Sequence, residues 1–214
     1  MLVLLAALAL HQSVDIPAKQ SVWVYTHASD PAGDEFLRIW GIDGNPVPAK
    51  PGDNEDYSFA YLKFDVGGAA AGKPKKAVLI LHNVSPAPFS EADAKQSPLQ
   101  ARELTGTFDG TTWDYSKSST VAPGDAASVF GQGKLAGPIG SSTPLEIDID
   151  LLQGPNDFPK ALGKAKAGDH MLYLALTSAM QPSQSGSTGS GGVYKVYSAA
   201  AKDASLKPTL KLEF

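Results

Sequence analysis

The sequence predicts an all-β fold, an antiparallel jelly-roll-like β-sandwich with one short helix. Three observations carry this. Residues 61–66 (Tyr-Leu-Lys-Phe-Asp-Val) and 145–151 (Leu-Glu-Ile-Asp-Ile-Asp-Leu) alternate apolar and polar side chains without a break, the period of two that marks a half-buried strand. Glycine (21) and proline (16) are frequent enough to supply many turns, which leaves little room for long helices. Only residues 158–167 have a helical pattern, and Gly163 limits that helix to a short one. Short strands following one another without long helices between them pack as sandwiches.

The elements follow in order. Residues 2–10 form a continuous run of Leu, Val and Ala containing Ala7-Leu8-Ala9, the form of a secretory h-region and cleavage site. Nine residues fall short of the ~20 that span a bilayer. The competing explanation is a buried first strand or helix. Residues 1–16 are taken as a signal-like segment and leader, and residues 17–214 as a single domain. That assignment implies export, to the extracellular space or the cell surface. Strands are expected at 21–26, where Val22 and Val24 alternate with Trp23 and Tyr25, and at 36–42. A loop dense in Pro, Gly, Asp and Asn (43–58) precedes the strand at 61–66, in which Leu62, Phe64 and Val66 face a core while Tyr61, Lys63 and Asp65 face outward. The strand at 77–84 is apolar in both alternating sets. A weaker strand covers 100–108. The second half has strands at 145–151, at Leu172, Leu174 and Leu176, at 193–198 and at 209–214. The Ser/Gly-rich tract 182–192 joins two of these and is expected to be a mobile loop rather than a domain boundary.

Composition excludes several functions. A net charge of −4 with no long Lys/Arg run does not suit nucleic acid, which requires phosphate-neutralising cations. The absence of cysteine removes disulfides, thiolate metal sites and a cysteine nucleophile. The four histidines (His11, His27, His82, His170) are scattered, with no His-x-x-x-His pair. There is no Gly-x-Ser-x-Gly elbow and no phosphate-binding glycine loop. Glu146, Asp148 and Asp150 lie at spacing two on one strand face. Such acids can serve glycoside hydrolysis, or they form the polar half of an amphipathic strand. Asp43, Asn45, Asp53 and Asp56 offer hard oxygen ligands suited to structural calcium, although the same residues also build Asx turns. No other cofactor is expected.

Sugars offer flat C–H faces and hydroxyl groups, so their sites combine exposed aromatic rings with fixed polar groups. Trp113 and Tyr115 in a turn-rich segment, and Tyr57 in the acidic loop, are the aromatic candidates, each with a core role as the alternative. Arg38 and Lys63 could give charge-assisted hydrogen bonds to acidic sugars. Trp23 and Trp40 lie inside strands and suit the core.

Six segments, taken in order, resemble the DNRLRE domain family, which overlaps carbohydrate-binding module family ninety-six. Residues 61–66 resemble its Y-L-K-F-D motif, and 77–81 its A-x-L-x-L strand. Thr111-Thr112-Trp113-Asp114-Tyr115 resembles a T-x-T-W-N-N segment. Residues 145–152 stand where the family has a strand leading into a short helix, and 172–177 resemble its S-L-A-L-T strand. Tyr197-Ser198 followed by Lys207-Pro208-Thr209-Leu210 resembles its closing run. The resemblance covers about residues 17–214. It implies a secreted, non-catalytic jelly-roll-like sandwich of the kind found beside polysaccharide-degrading modules or in surface proteins, some of which bind acidic polysaccharides. Asp114-Tyr115 replaces the family's Asn pair, Phe108 stands at a usual Trp, and Ala200-Ala201 stands where an acid is usual, so the identity of a ligand does not carry over.

Two functions follow. One is a secreted, non-catalytic polysaccharide-binding module, which predicts a shallow cleft lined by an exposed Trp or Tyr. The other is a structural or adhesive cell-surface or matrix protein built on the same sandwich, which predicts an open edge strand and self-association.

Overall fold

The computed structural model describes residues 12–25, 34–42, 57–114, 116–117, 120–181 and 193–214. The strands are β1 (Ser13–Pro17), β2 (Gln20–Tyr25), β3 (Phe36–Ile39), β4 (Ser58–Asp65), β5 (Lys76–Asn83), β6 (Gln100–Glu103), β7 (Val129–Leu135), β8 (Leu145–Asp150), β9 (Met171–Thr177), β10 (Tyr194–Tyr197) and β11 (Thr209–Glu213), with helices α1 (Glu91–Gln96) and α2 (Phe158–Ala167). The chain is thus all-β and antiparallel, as the alternation requires.

The strands form one sheet that curls over on itself, in the order β1-β11-β5-β8-β7-β6-β9-β4-β2, with a β3–β10 ribbon attached to β5. β7 makes the turn between the two layers. Its first half pairs with β6 and its second half, from Gly133, pairs with β8. Gly131 sits at that bend, and any Cβ there would overlap the Asp150 carbonyl oxygen. This strand was not expected from the sequence, because two glycines interrupt it and lower its strand propensity. Consecutive strands β4–β5, β5–β6 and β8–β9 cross from one layer to the other, the connectivity of a jelly roll.

The main core lies between the layers. Leu62, Phe64, Leu172, Leu174 and Leu176 from one side meet Leu79, Leu81, Ile147, Ile149, Leu210 and Leu212 from the other. Helix α2 closes one end by setting Phe158 edge-on to Phe130, with ring centroids 5.4 Å apart. It spans the residues expected from the sequence, and Asp157 caps it by accepting from the Lys160 N–H at 3.0 Å. Helix α1, only six residues long, was not expected.

Two further features differ from the reading of the sequence, and two segments lie outside the described residues. Strand β1 begins at Ser13 and pairs with β11 along its whole length, so the sandwich starts before residue 17. Residues 1–11, which carry the signal-like run, lie outside the described residues, as do residues 182–192. Tyr61 does point away from the main core, yet it is fully buried. The segment after β6 folds back over the outer face of β4 and β9. It forms a second apolar cluster in which Leu104, Phe108 and Trp113 cover Val22, Phe59, Tyr61 and Ala175. The strand pattern marks which residues leave the main core. It does not reveal that another segment covers them.

Candidate functional site

Where that covering segment stops, the outer face of the β2–β4–β9 layer opens. Gln20, Lys63 and Tyr173 are direct cross-strand neighbours there, so their side chains form a row across three strands with steps of roughly 5 Å. The row is tightly cross-linked. Lys63 donates to the Gln20 side-chain oxygen at 3.3 Å, and the Gly110 N–H donates to the same oxygen at 3.3 Å. The Lys63 ammonium also lies 5.6 Å from the centre of the Tyr173 ring, within cation–π range. Phe108 braces that ring in a T-shaped contact at 5.8 Å. Tyr173 itself is only partly buried.

Two carboxylates act on the ring. The Tyr173 hydroxyl donates to Asp169 at 3.4 Å. Burial, and then the Asp169 charge, push the phenol above its ordinary range, so it remains a neutral donor at physiological pH. The second carboxylate is Asp109, whose charge also acts on the phenol. The backbone and hydroxyl of Thr111 hydrogen-bond it and hold its carboxyl below the usual carboxylate range, with Lys63 adding to the effect. Asp109 is therefore a charged acceptor. Next to the row, Tyr173 and Asp169 form part of the wall of a cleft of about 400 Å³ between α2 and the ends of β6 and β9. Leu104, Phe130 and Leu172 line it with apolar surface, and Glu103 and Lys164 add charge. This volume lies in the range of small-ligand sites. A smaller hollow of about 170 Å³, lined by Lys19, Gln20 and Thr111 among others, adjoins the other end of the row.

The residues proposed from sequence are distributed unevenly around this surface. Lys63 stands in the row. Trp113 and Tyr57 are buried, 4% and 5% exposed. Trp113 sits edge-on to Tyr61 at 5.1 Å, and Tyr57 stacks on Phe59 at 6.0 Å. Both rings are spent on packing and present no free face. Tyr115 lies outside the described residues. Arg38 lies elsewhere, on the β3–β10 ribbon. It makes an ion pair with Asp34 at 3.0 Å and covers the Trp23 ring at 5.2 Å. Lys195, Phe36 and Tyr197 share its face. Asp43, Asn45, Asp53 and Asp56 lie outside the described residues. Among the described residues no group of three or more His, Asp or Glu side chains could hold a metal ion.

Glu146, Asp148 and Asp150 share the outer face of β8, as their spacing predicts, opposite His82, Ile80 and Val78 of β5. His82 Nε2 lies 3.6 Å from Glu146. Asp150 accepts from the Leu152 N–H at 3.0 Å and so serves the turn after β8.

Tyr173 was missed from the sequence. The leucines at 172, 174 and 176 mark the core face of that strand, and alternation alone places Tyr173 on the opposite face. No family model matches the chain, and no curated protein matches its sequence.

Proposed function

We propose that this protein is a secreted, non-catalytic polysaccharide-binding module, with the Gln20–Lys63–Tyr173 row as its sugar-contacting surface. The observation that carries this is Tyr173, a partly exposed aromatic ring held in place by Phe108, with a cation over it and a carboxylate at its hydroxyl. A sugar ring can lay its C–H face on such an aromatic while its hydroxyls meet Lys63, Asp109 and Asp169. These polar groups are already tied to neighbouring residues, so little conformational entropy remains to be lost when a ligand docks. The ordered motifs that resemble the DNRLRE family support the same role, and the apolar run at residues 2–10 supports export.

Affinity electrophoresis in gels containing β-glucan, galactan, mannan or polygalacturonate tests this. The wild type is expected to be retarded by at least one polymer, and Tyr173→Ala to lose most of that retardation, a drop in affinity of roughly tenfold or more for one stacked ring. Unchanged migration of the wild type in every gel, or undiminished retardation of the variant, would sink the proposal.

A further inference from the structure

The residues around the row carry more negative than positive charge where a ligand would meet it. Lys19 is paired with Asp65 at 3.5 Å. Lys63 is shared between the Gln20 oxygen and the Tyr173 ring, with Asp109 close enough to feel its charge. Lys164 lines the cleft in the company of Glu103 and Asp169. Three cations thus face four carboxylates, and the carboxylate nearest the Tyr173 hydroxyl is Asp169. We infer that the site selects neutral sugars and that Asp169 is the residue that rejects acidic ones.

The inference rests on the polysaccharide-binding proposal and specifies its substrate class. A neutral sugar bound on Tyr173 would offer hydroxyl donors to Asp109 and Asp169, forming hydrogen bonds to charged acceptors, the stronger kind. A uronate or sulfated unit in the same position would place a second anion within a few ångströms of Asp169. Lys63 is a single cation, already bonded to Gln20 and electrostatically coupled to Asp109, so it offsets only part of that repulsion. Discrimination of this sort works by repulsion against the wrong ligand as much as by attraction of the right one. The largely apolar cleft beside the ring also suits the uncharged face of a neighbouring sugar unit better than a carboxylate, which would lose its hydration there.

The test follows the Tyr173 ring by NMR during titration with neutral gluco-, galacto- and manno-oligosaccharides and, separately, with oligogalacturonate. In the wild type, at least one neutral series is expected to shift the ring resonances, while oligogalacturonate at the same concentration leaves them in place. Asp169→Asn is expected to narrow the preference for the neutral series over oligogalacturonate by about fivefold or more, with the new uronate response weakening as salt is added. Oligogalacturonate shifting the wild-type ring as strongly as the neutral series overturns the inference while leaving polysaccharide binding intact. An unchanged preference in Asp169→Asn removes Asp169 from the role. Should none of the oligosaccharides move the ring, the assignment of the row as a sugar site fails, a result distinct from a failure of selectivity.

Discussion

At the scale of single residues, Asp148 is out of balance with its surroundings. One of its carboxylate oxygens is buried with no hydrogen-bond partner among the described residues. Burial, and then the charge of Glu146 two positions away, raise its proton affinity, and Lys76 and His82 offset only part of this. Because its pKa is higher in the folded chain than in the unfolded one, ionising Asp148 costs folding free energy. That cost is absent below the unfolded value of about 3.9, grows as the pH rises through the folded value, and is complete above it. Asp148→Asn should therefore be more stable than the wild type at pH 7. The gain should be a fraction of a kcal/mol after solvent screening, or about 1 °C in melting temperature. It should vanish by about pH 3, where both states of the wild type are protonated. Thermal melts of the two proteins across that range check it, and an equal gain at pH 3 would point to a packing effect instead. The spacing-two acids are fully legible in the sequence. What sets Asp148 apart is the register of β8 against β5, which places it between Ile80 and the Glu146–His82 pair, and no local pattern encodes that.

At the scale of elements, legibility followed amphipathicity. β4, β8 and β11 alternate cleanly, and α2 has a capping Asp, a Pro near its start and an apolar stripe, so all four could be read from the chain. β7 could not, because Gly131 and Gly133 are there to let backbones approach at the bend between the layers. A requirement for close approach looks in sequence like a turn signal. Helix α1 was missed for its length, since six residues give too short a window for a 3.6-residue period. Its start was readable in principle. Ser90 accepts from the Asp93 N–H at 3.1 Å, and the Asp93 carboxylate accepts from the Ser90 N–H at 2.9 Å, a capping box built with Asp in place of the commoner Glu. The Ser90 hydroxyl also donates to the Asp93 carboxylate at 2.7 Å, and that bond, with the one from the Ser90 N–H, holds the Asp93 carboxyl below the usual carboxylate range. Ser90→Ala should therefore cost about 1 kcal/mol, roughly 2–4 °C, and should let Asp93 titrate closer to an ordinary aspartate. Both can be followed in one NMR pH titration and a melt. The helix matters beyond its own turn, because Phe89 before it packs on Tyr194 with ring centroids 4.7 Å apart, so loosening α1 should also loosen the attachment of β10.

At the scale of the whole molecule, the fold is a sandwich with a second, smaller core on its outside, and the candidate site stands at the rim of that second core. One of the two end strands of the sheet's main order, β1, the other being β2, bears on the adhesive alternative. β1 is five residues long, carries Asp15 and ends in Pro17, features that blunt an edge against pairing with another chain. The outer core depends on Trp113, whose ring contacts Tyr61 and Phe108, while the Tyr61 hydroxyl donates to the Val121 carbonyl at 2.6 Å and helps tie the covering segment down. Among the described residues the buried indole N–H of Trp113 has no partner, so the residue stabilises through its ring area. Trp113→Ala should cost about 3–5 kcal/mol, a fall of roughly 6–20 °C, and should expose enough of the Phe59–Tyr61 face to bind an apolar dye. Trp113→Phe keeps much of the ring and abandons no hydrogen bond, so it should cost clearly less, about 1–2 kcal/mol. Equal losses in the two variants would mean that the indole N–H has a role the geometry does not support. The same segment carries Asp109, Gly110 and Thr111, and Gly110 is bonded to Gln20 in the row. Trp113→Ala should therefore also weaken polysaccharide retention, in part through Phe108, which touches both Trp113 and Tyr173. A destabilising change in the main core such as Leu174→Ala should instead leave retention unaltered at temperatures where that variant is folded. If both variants lose retention to the same degree while folded, the covering segment has no special part in shaping the site.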